Sequence, residues 1–304
     1  MAGWTPPQRT LRDALVDAER RLRTAEVPSP RTDAELLLAH VLGVPRGRMF
    51  LSDPIEATDQ VRFEALVAKR VSRQPLQHLL GEAPFRHLTL AVGRGVFVPR
   101  PETEAVTELA LRALRADAQE RVAVDLCTGS GAIALALGTE VPHTLVHAVE
   151  LDPAAHEWAA RNIEAHADAL SAVGSRVVLH HADATTAHVG VLATLVGRVD
   201  VVVSNPPYIP DGAIPRDPEV REHDPHRALY GGPDGLDVVR GVIDAAAALL
   251  RHGGTLVVEH ADDQGESGGA LGVPAAVREH GGFADVADHP DLAGRDRATT
   301  AVRC

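Results

Sequence analysis

The chain has 304 residues, 30 basic and 42 acidic side chains for a formal net charge of −12, 45% hydrophobic residues and a mean hydropathy of −0.05. That length accommodates one large domain plus a smaller one, each with its own core, and that hydropathy belongs to a soluble protein. The charge is uneven: residues 1–80 carry 12 basic against 10 acidic side chains, net +2, and residues 81–304 carry 18 against 32, net −14, which argues against tight non-specific binding to a phosphate backbone.

The opening Met1-Ala2-Gly3-Trp4-Thr5-Pro6-Pro7 lacks the basic-then-apolar pattern of a signal peptide. No apolar run approaches the ~20 residues a membrane span needs. With Cys127 and Cys304 as the two cysteines, neither a disulfide framework nor a paired-cysteine metal site is expected, and the chain reads as cytoplasmic. Residues 1–80 then read as a helical bundle. Leu11, Leu15, Ala18 and Leu22 share one helix face behind a Thr10/Asp13 cap. Ser29-Pro30 opens a second helix that ends at Gly43, and a third covers about 59–71. Nothing in this part has the look of a catalytic site; its expected role is partner recognition.

Residues 81–101 read as a linker. Leu88–Val92 and Gly95–Val98 are expected to pair as a hairpin around Gly93-Arg94-Gly95. The stiff Pro99-Arg100-Pro101-Glu102-Thr103-Glu104 either simply connects the two parts or forms one wall of a ligand site. From residue 102 onward helices and strands alternate, which predicts a parallel sheet. Strand Val122–Leu126, carrying Asp125, runs into the turn Cys127-Thr128-Gly129-Ser130-Gly131 and the helix starting at Ala132. Glycines there let a ligand approach the backbone at a helix N-terminus. The next strand, Leu145–Val149, ends on Glu150, placed to accept both hydroxyls of a ribose. The third glycine of a dinucleotide-binding turn is absent, because Gly131 is followed by Ala132, Ile133 and Ala134. The pattern suits S-adenosylmethionine, which has no phosphate. Asp183, after strand Val177–Leu179, either accepts from an adenine amino group or caps its own turn.

The strand Asp200–Val203 leads into Ser204-Asn205-Pro206-Pro207-Tyr208-Ile209-Pro210. A polar residue at the carboxyl end of a buried strand stands where open α/β sheets bind ligands, and the prolines hold it there. This arrangement fits transfer to a planar nitrogen. The Asn205 carbonyl and a backbone carbonyl can each accept one N–H of an –NH2 group, orient it, and stabilise the positive charge that develops on it. Residues 221–237, with Tyr230-Gly231-Gly232-Pro233-Asp234-Gly235, read as a loop forming a lid or turn at the mouth of the site. The helix 236–250, strand Thr255–Glu259, helix Val273–His280 and a terminal strand pair at 283–287 and 299–302 bring the expected sheet to seven strands. His180, His181, His223 and His260 fit no metal-ligand spacing and read as surface or hydrogen-bonding residues.

Taken together, Gln74-Pro75-Leu76-Gln77 with Gly81, Pro99 through Glu104, Asp125 through Gly131, Ser204 through Pro210, Gly231 through Asp237 and Asp291 through Asp296 resemble the PrmC/HemK family of peptide-chain release factor glutamine methyltransferases. The resemblance covers most of the chain. Asn-Pro-Pro-Tyr is shared with DNA and RNA methyltransferases, whereas the Pro-Arg-Pro-Glu-Thr-Glu linker behind a helical domain is far more specific.

It implies a class I, Rossmann-like methyltransferase domain with a seven-stranded sheet at 102–304, behind a helical docking domain at 1–80 and a hairpin linker at 81–101. The implied activity is S-adenosylmethionine-dependent methylation of the glutamine amide in a class 1 release factor's Gly-Gly-Gln, with no metal, membrane or stable nucleic-acid partner. By position, Asp125, Cys127, Thr128, Gly129, Ser130, Gly131, Glu150, Asp183, Ala184 and Asn205 would border the cofactor. Asn205 and the Pro206 carbonyl would hold the amide, with Pro207 and Tyr208 on its plane; Asn205, Pro206 and Tyr208 carry the catalytic role.

Five positions depart from the family pattern: Cys127 for glycine, Glu150 for aspartate, Ala184 for a larger residue, and His260 and Ala261 in Glu259-His260-Ala261 for Glu-Ile-Gly. Three rival readings follow from the same motifs. They are methylation of a ribosomal-protein glutamine, methylation of a nucleic-acid adenine, and a non-catalytic cofactor-binding protein that docks translation factors. The −14 charge counts against adenine, and an intact Asn205–Tyr208 counts against a pure binding module.

Overall fold

The computed structural model describes residues 10–52, 55–115 and 121–304, so the opening Met1–Pro7 lies outside the described residues. The chain divides into two units. The first ends at Glu82 and also takes in Pro215–His223; the second comprises Ala83–Ile214 and Asp224–Cys304. No described helix is long and apolar enough to cross a membrane.

Helices Leu11–Thr24, Pro30–Leu42 and Ala57–Val71 form the first unit. The Thr10 hydroxyl caps the first helix by accepting from the Asp13 amide. Ser29 makes no such bond; that start relies on Pro30, and Gly43 closes the helix in a left-handed conformation. The apolar stripe Leu11, Leu15, Ala18 and Leu22 is fully buried against Leu37, Leu38, Phe63 and Val67. Residues 74–80 stay with the bundle. They form a short helix, Leu76–Leu80, whose Leu79 joins this core.

A buried ionic chain ties the late segment into the same unit. Arg70 donates to Asp33 at 2.8 Å and pairs with Glu219 at 2.7 Å. Arg73 grips Glu219 with two bonds of 2.8 and 2.6 Å. Burial alone would raise the Glu219 carboxyl, but the bonds from Arg73 and Arg70 outweigh it and hold it down at about 2.

β1 (Glu82–Phe85), of which Ala83–Phe85 belong to the second unit, and β2 (Leu88–Ala91) form a hairpin. Its turn is Arg86-His87, with Arg86 at φ 53°, one strand earlier than expected. The chain does turn at Gly93-Arg94-Gly95, where the Val96 amide donates to the Gly93 carbonyl at 3.4 Å, but the hairpin lies ahead of it and the glycines serve packing. A Cβ on Gly93 would stand 2.6 Å from the Trp158 ring, whose indole N–H donates to the Arg94 carbonyl.

The main sheet comprises β3 (Arg121–Leu126), β4 (Thr144–Glu150), β5 (Arg176–His181), β6 (Val199–Ser204), β7 (Leu250–Glu259), β8 (Phe283–Pro290) and β9 (Asp296–Arg303). Its seven strands lie in the order β5-β4-β3-β6-β7-β9-β8. The first five are parallel, and β9 runs antiparallel to both β7 and β8. Alternate residues face opposite layers, as the pleat requires. Ala123, Val201, Val203 and Val257 pack with Val106, Leu111 and Leu137 on one side. Val124, Val202, Leu256 and Val258 pack with Val239, Val242 and Ile243 on the other. Strand order reverses between β3 and β6, so the tips Leu126 and Ser204 flank the crevice where such sheets bind ligands.

Candidate active site

The turn after β3 is held from below. Asp125 is fully buried; its Oδ2 accepts from the Thr128 hydroxyl at 2.5 Å and from the Ala134 amide at 3.0 Å. Its Oδ1 is buried with no partner among the described residues. Burial raises this carboxyl to about 7 against the pull of those two donors. Cys127 adopts φ 64°, the left-handed backbone that glycine adopts without strain. Burial drives its thiol well above the ordinary range. Gly129, at φ 58°, has no atom within 4 Å of where a Cβ would stand, leaving open space above the turn.

Glu150 at the β4 tip accepts from the Gly129 amide and the Asp152 amide, both at 2.8 Å. Burial raises its carboxyl, and those backbone donors oppose the rise. Asp183 Oδ1 accepts from both the amide and the hydroxyl of Thr185, so it does cap its own turn. Ala184 is buried in the core beneath that turn. Ser130 and Gly131 complete the turn, and Gly131 starts the helix Ala132–Glu140. The Ser130 carbonyl accepts from Asn162 at 2.9 Å, and the same Asn162 bonds the amide and carbonyl of Ala91 on β2. This buried clamp was not anticipated; its one local signal is an Asn on the apolar face that also carries Ala155 and Ala159.

An open backbone turn, a buried carboxyl oxygen without a donor and the Glu150 carboxylate suit a ligand with hydroxyl or ammonium donors and no phosphate. The residues present therefore fit S-adenosylmethionine.

Asn205 follows β6 directly, and its Nδ2 donates to the Thr103 hydroxyl at 3.4 Å. Thr103 lies in the first turn of the helix Pro101–Arg115. The Pro-Arg-Pro-Glu-Thr-Glu segment thus runs into a helix whose Thr103 meets Asn205. Pro206 is buried, and its carbonyl accepts no hydrogen bond among the described residues. Tyr208 packs against the core, and burial raises its phenol.

The expected loop at 221–237 contains a short helix, His226–Leu229, and residues 230–237 run beside the motif: Ile209 donates to Leu229, Gly231 to Ile209 and Asp211 to Gly232, at 2.8–2.9 Å, and Gln264 donates to the Tyr208 carbonyl at 2.9 Å. A Cβ on Gly231 would stand 2.4 Å from the Pro207 carbonyl oxygen, and one on Gly235, at φ 77°, 2.3 Å from that of Tyr208. Glycine at both positions is what permits this approach.

Glu259, the last residue of β7, is a site neighbour that no local motif marks. Ser204 pairs with Val258, so Asn205 and Glu259 follow side by side at the strand tips. Glu259 is 2% exposed, and its Oε2 has no partner among the described residues. Burial raises its carboxyl to about 7; hydrogen bonding with Thr103 and Asn205 and the charge of Arg297 pull it down, and Glu102 pushes it up. His260 beside it is buried and bonded to Asp288 at 3.1 Å, a hydrogen-bonding histidine.

The PrmC N-terminal domain family matches residues 13–81, and the methyltransferase small domain family matches residues 87–217. The chain is 52% identical to the release factor glutamine methyltransferase of Streptomyces coelicolor, over 94% of this chain and 96% of that one. Its identity to the protein of the same name from Mycolicibacterium smegmatis is 49%, over 96% and 98%. For the one from Mycobacterium tuberculosis it is 43%, over 97% and 92%.

Proposed function

This chain belongs to the release factor glutamine methyltransferase family, and on that premise we propose that its Asn205 tip holds the glutamine side-chain amide of a class 1 release factor's Gly-Gly-Gln segment for N-methylation. The observation that carries the reading is the asymmetry of Asn205. Its Nδ2 is turned to Thr103, which leaves Oδ1 and the Pro206 carbonyl as two acceptors with no donor among the described residues.

An amide nitrogen is a poor nucleophile because its lone pair is delocalised. Two acceptors, one for each N–H, fix the nitrogen and favour pyramidal geometry, and they stabilise the positive charge that grows there. Pro207 and Tyr208 supply flat apolar surface for the plane of the amide, and the Gly231 and Gly235 contacts keep their backbone from shifting. The methyl donor, S-adenosylmethionine, supplies when bound an electrophilic methyl on a sulfonium that departs as a neutral thioether. Asp125, through Thr128 and Ala134, keeps the turn open for it, and Glu150 offers acceptors to its hydroxyls. Once the N–C bond has formed, the nitrogen sheds one proton to water, and no strong base is required before that point.

The test is mass spectrometry of an unmodified release factor after incubation with the protein and S-adenosylmethionine. The expected result is a gain of one methyl on the Gly-Gly-Gln glutamine. Asn205→Ala should lower turnover by roughly a thousandfold while leaving cofactor affinity within a few-fold. A wild-type preparation that binds cofactor but leaves this glutamine unmethylated would overturn the reading.

A further inference from the structure

We infer that Glu259 is the positioning residue that sets which end of the Asn205 side-chain amide faces the substrate. The inference deepens the reading above and rests on it for the identity of the acceptor.

An asparagine amide has a donor end and an acceptor end of nearly equal shape, and nothing in the Asn205 backbone chooses between them. The choice matters. With Oδ1 outward the side chain accepts from the incoming –NH2; with Nδ2 outward it sets donor against donor. Two neighbours bias the choice. Thr103 takes the Nδ2 hydrogen at 3.4 Å, and Glu259 stands at the adjoining strand tip, where Thr103 and Asn205 both favour its charged form.

A hydroxyl can give or take, so Thr103 alone would tolerate either orientation by rotating. Above about pH 7, where its carboxyl is ionised, Glu259 only accepts. Glu259 is buried, has no salt-bridge partner among the described residues, and carries an oxygen with no donor. A flipped Asn205 would set its carbonyl oxygen against a buried carboxylate already short of donors, acceptor facing acceptor, which is costly. Parallel pairing of Ser204 with Val258 keeps the two tips adjacent whether or not substrate is present. The orientation is therefore built in before binding, which is what preorganised stabilisation requires.

Glu259→Gln keeps the shape and supplies a terminal amide that can donate, so the flipped Asn205 becomes acceptable. In full-length protein at saturating S-adenosylmethionine, kcat for release factor should fall about tenfold to a hundredfold, with KM and cofactor affinity within about threefold. Thr103→Val should lower kcat in the same direction. The double variant should fall no more than about twofold below the slower single one, because both residues serve one orientation. Unchanged kcat in Glu259→Gln, or effects that multiply, would overturn the inference.

A readout without turnover separates this from a failure of the functional reading. In 15N-labelled protein the Asn205 side-chain NH2 pair, assigned by its loss in Asn205→Ala, should be protected from solvent exchange and lose that protection in Glu259→Gln. Equal protection in both would overturn the positioning role even if wild-type protein methylates the release factor. Loss of protection would support it even if the true acceptor is another glutamine.

Discussion

Glu219 in the helical unit and Glu259 in the sheet unit are both largely withdrawn from water, yet they titrate at opposite ends of the carboxylate range. Glu219 is clasped by Arg73 and Arg70 and falls to about 2. Glu259 has hydroxyl and amide neighbours in place of a paired cation and rises to about 7, as does Asp125 beneath the cofactor-type turn. The first arrangement spends charge on holding a segment of chain. The second keeps acceptors buried and under-supplied with donors, which costs stability and suits a site that must present acceptors in fixed directions.

The contrast is sharpest in added bulk. Gly235→Ala should lower turnover at least about a hundredfold, because the new Cβ would meet the Tyr208 carbonyl oxygen at 2.3 Å and displace the motif backbone. Gly43→Ala, also at positive φ but with nothing within 4 Å, should cost about 1 kcal/mol in denaturant titration and leave kcat unchanged. Comparable losses of turnover in the two variants would erase the distinction.

Removing the clasped acid tests the other side. Glu219→Ala leaves Arg73 without its carboxylate and Arg70 with Asp33 alone, and should destabilise the helical unit by about 3 kcal/mol. Hydrogen exchange in the helix Leu11–Thr24 should quicken first.

A smaller and opposite pair of effects follows from pH. The Glu219 carboxyl is lowered from 4.5, so its contribution is present above that value and lost as pH falls toward about 2. Asp125 and Glu259 are raised from 3.8 and 4.5, so their contribution is complete below those values and lost as pH rises through about 7. Urea midpoints of the sheet unit should therefore decline from pH 5 to 8, by on the order of 1 kcal/mol or more, while those of the helical unit hold until acid pH. Parallel pH curves for the two units would contradict this.

The parts of the site that were legible in the sequence are those set by neighbours along the chain. A β-branched run ending in Asn205 and another ending in Glu150 announce strand tips, because strand period and tip chemistry are local. Asp125 before a glycine turn is readable for the same reason. Thr103, Asn162 and Glu259 were not legible as site residues. Thr103 meets Asn205 across 102 positions and Asn162 meets Ala91 across 71, and Glu259 acquires its meaning from the register of β6 against β7. The hairpin was misplaced for a related reason. Gly93 and Gly95 look like turn residues, but the side chains that need their smallness, Trp158 and Ala154, lie on a distant helix.

The ionic clasp has a consequence for how the protein is made. Arg73 and Glu219 are 146 residues apart in the chain. At about 5–20 residues per second, a ribosome that has delivered Arg73 needs roughly 7–30 s more to deliver its counter-ion. Through that interval the helices Leu11–Thr24, Pro30–Leu42 and Ala57–Val71 are present with their closing piece still unsynthesised. The helical unit, although first in order of synthesis, is completed only after the Asn205 strand has left the peptidyl-transferase centre.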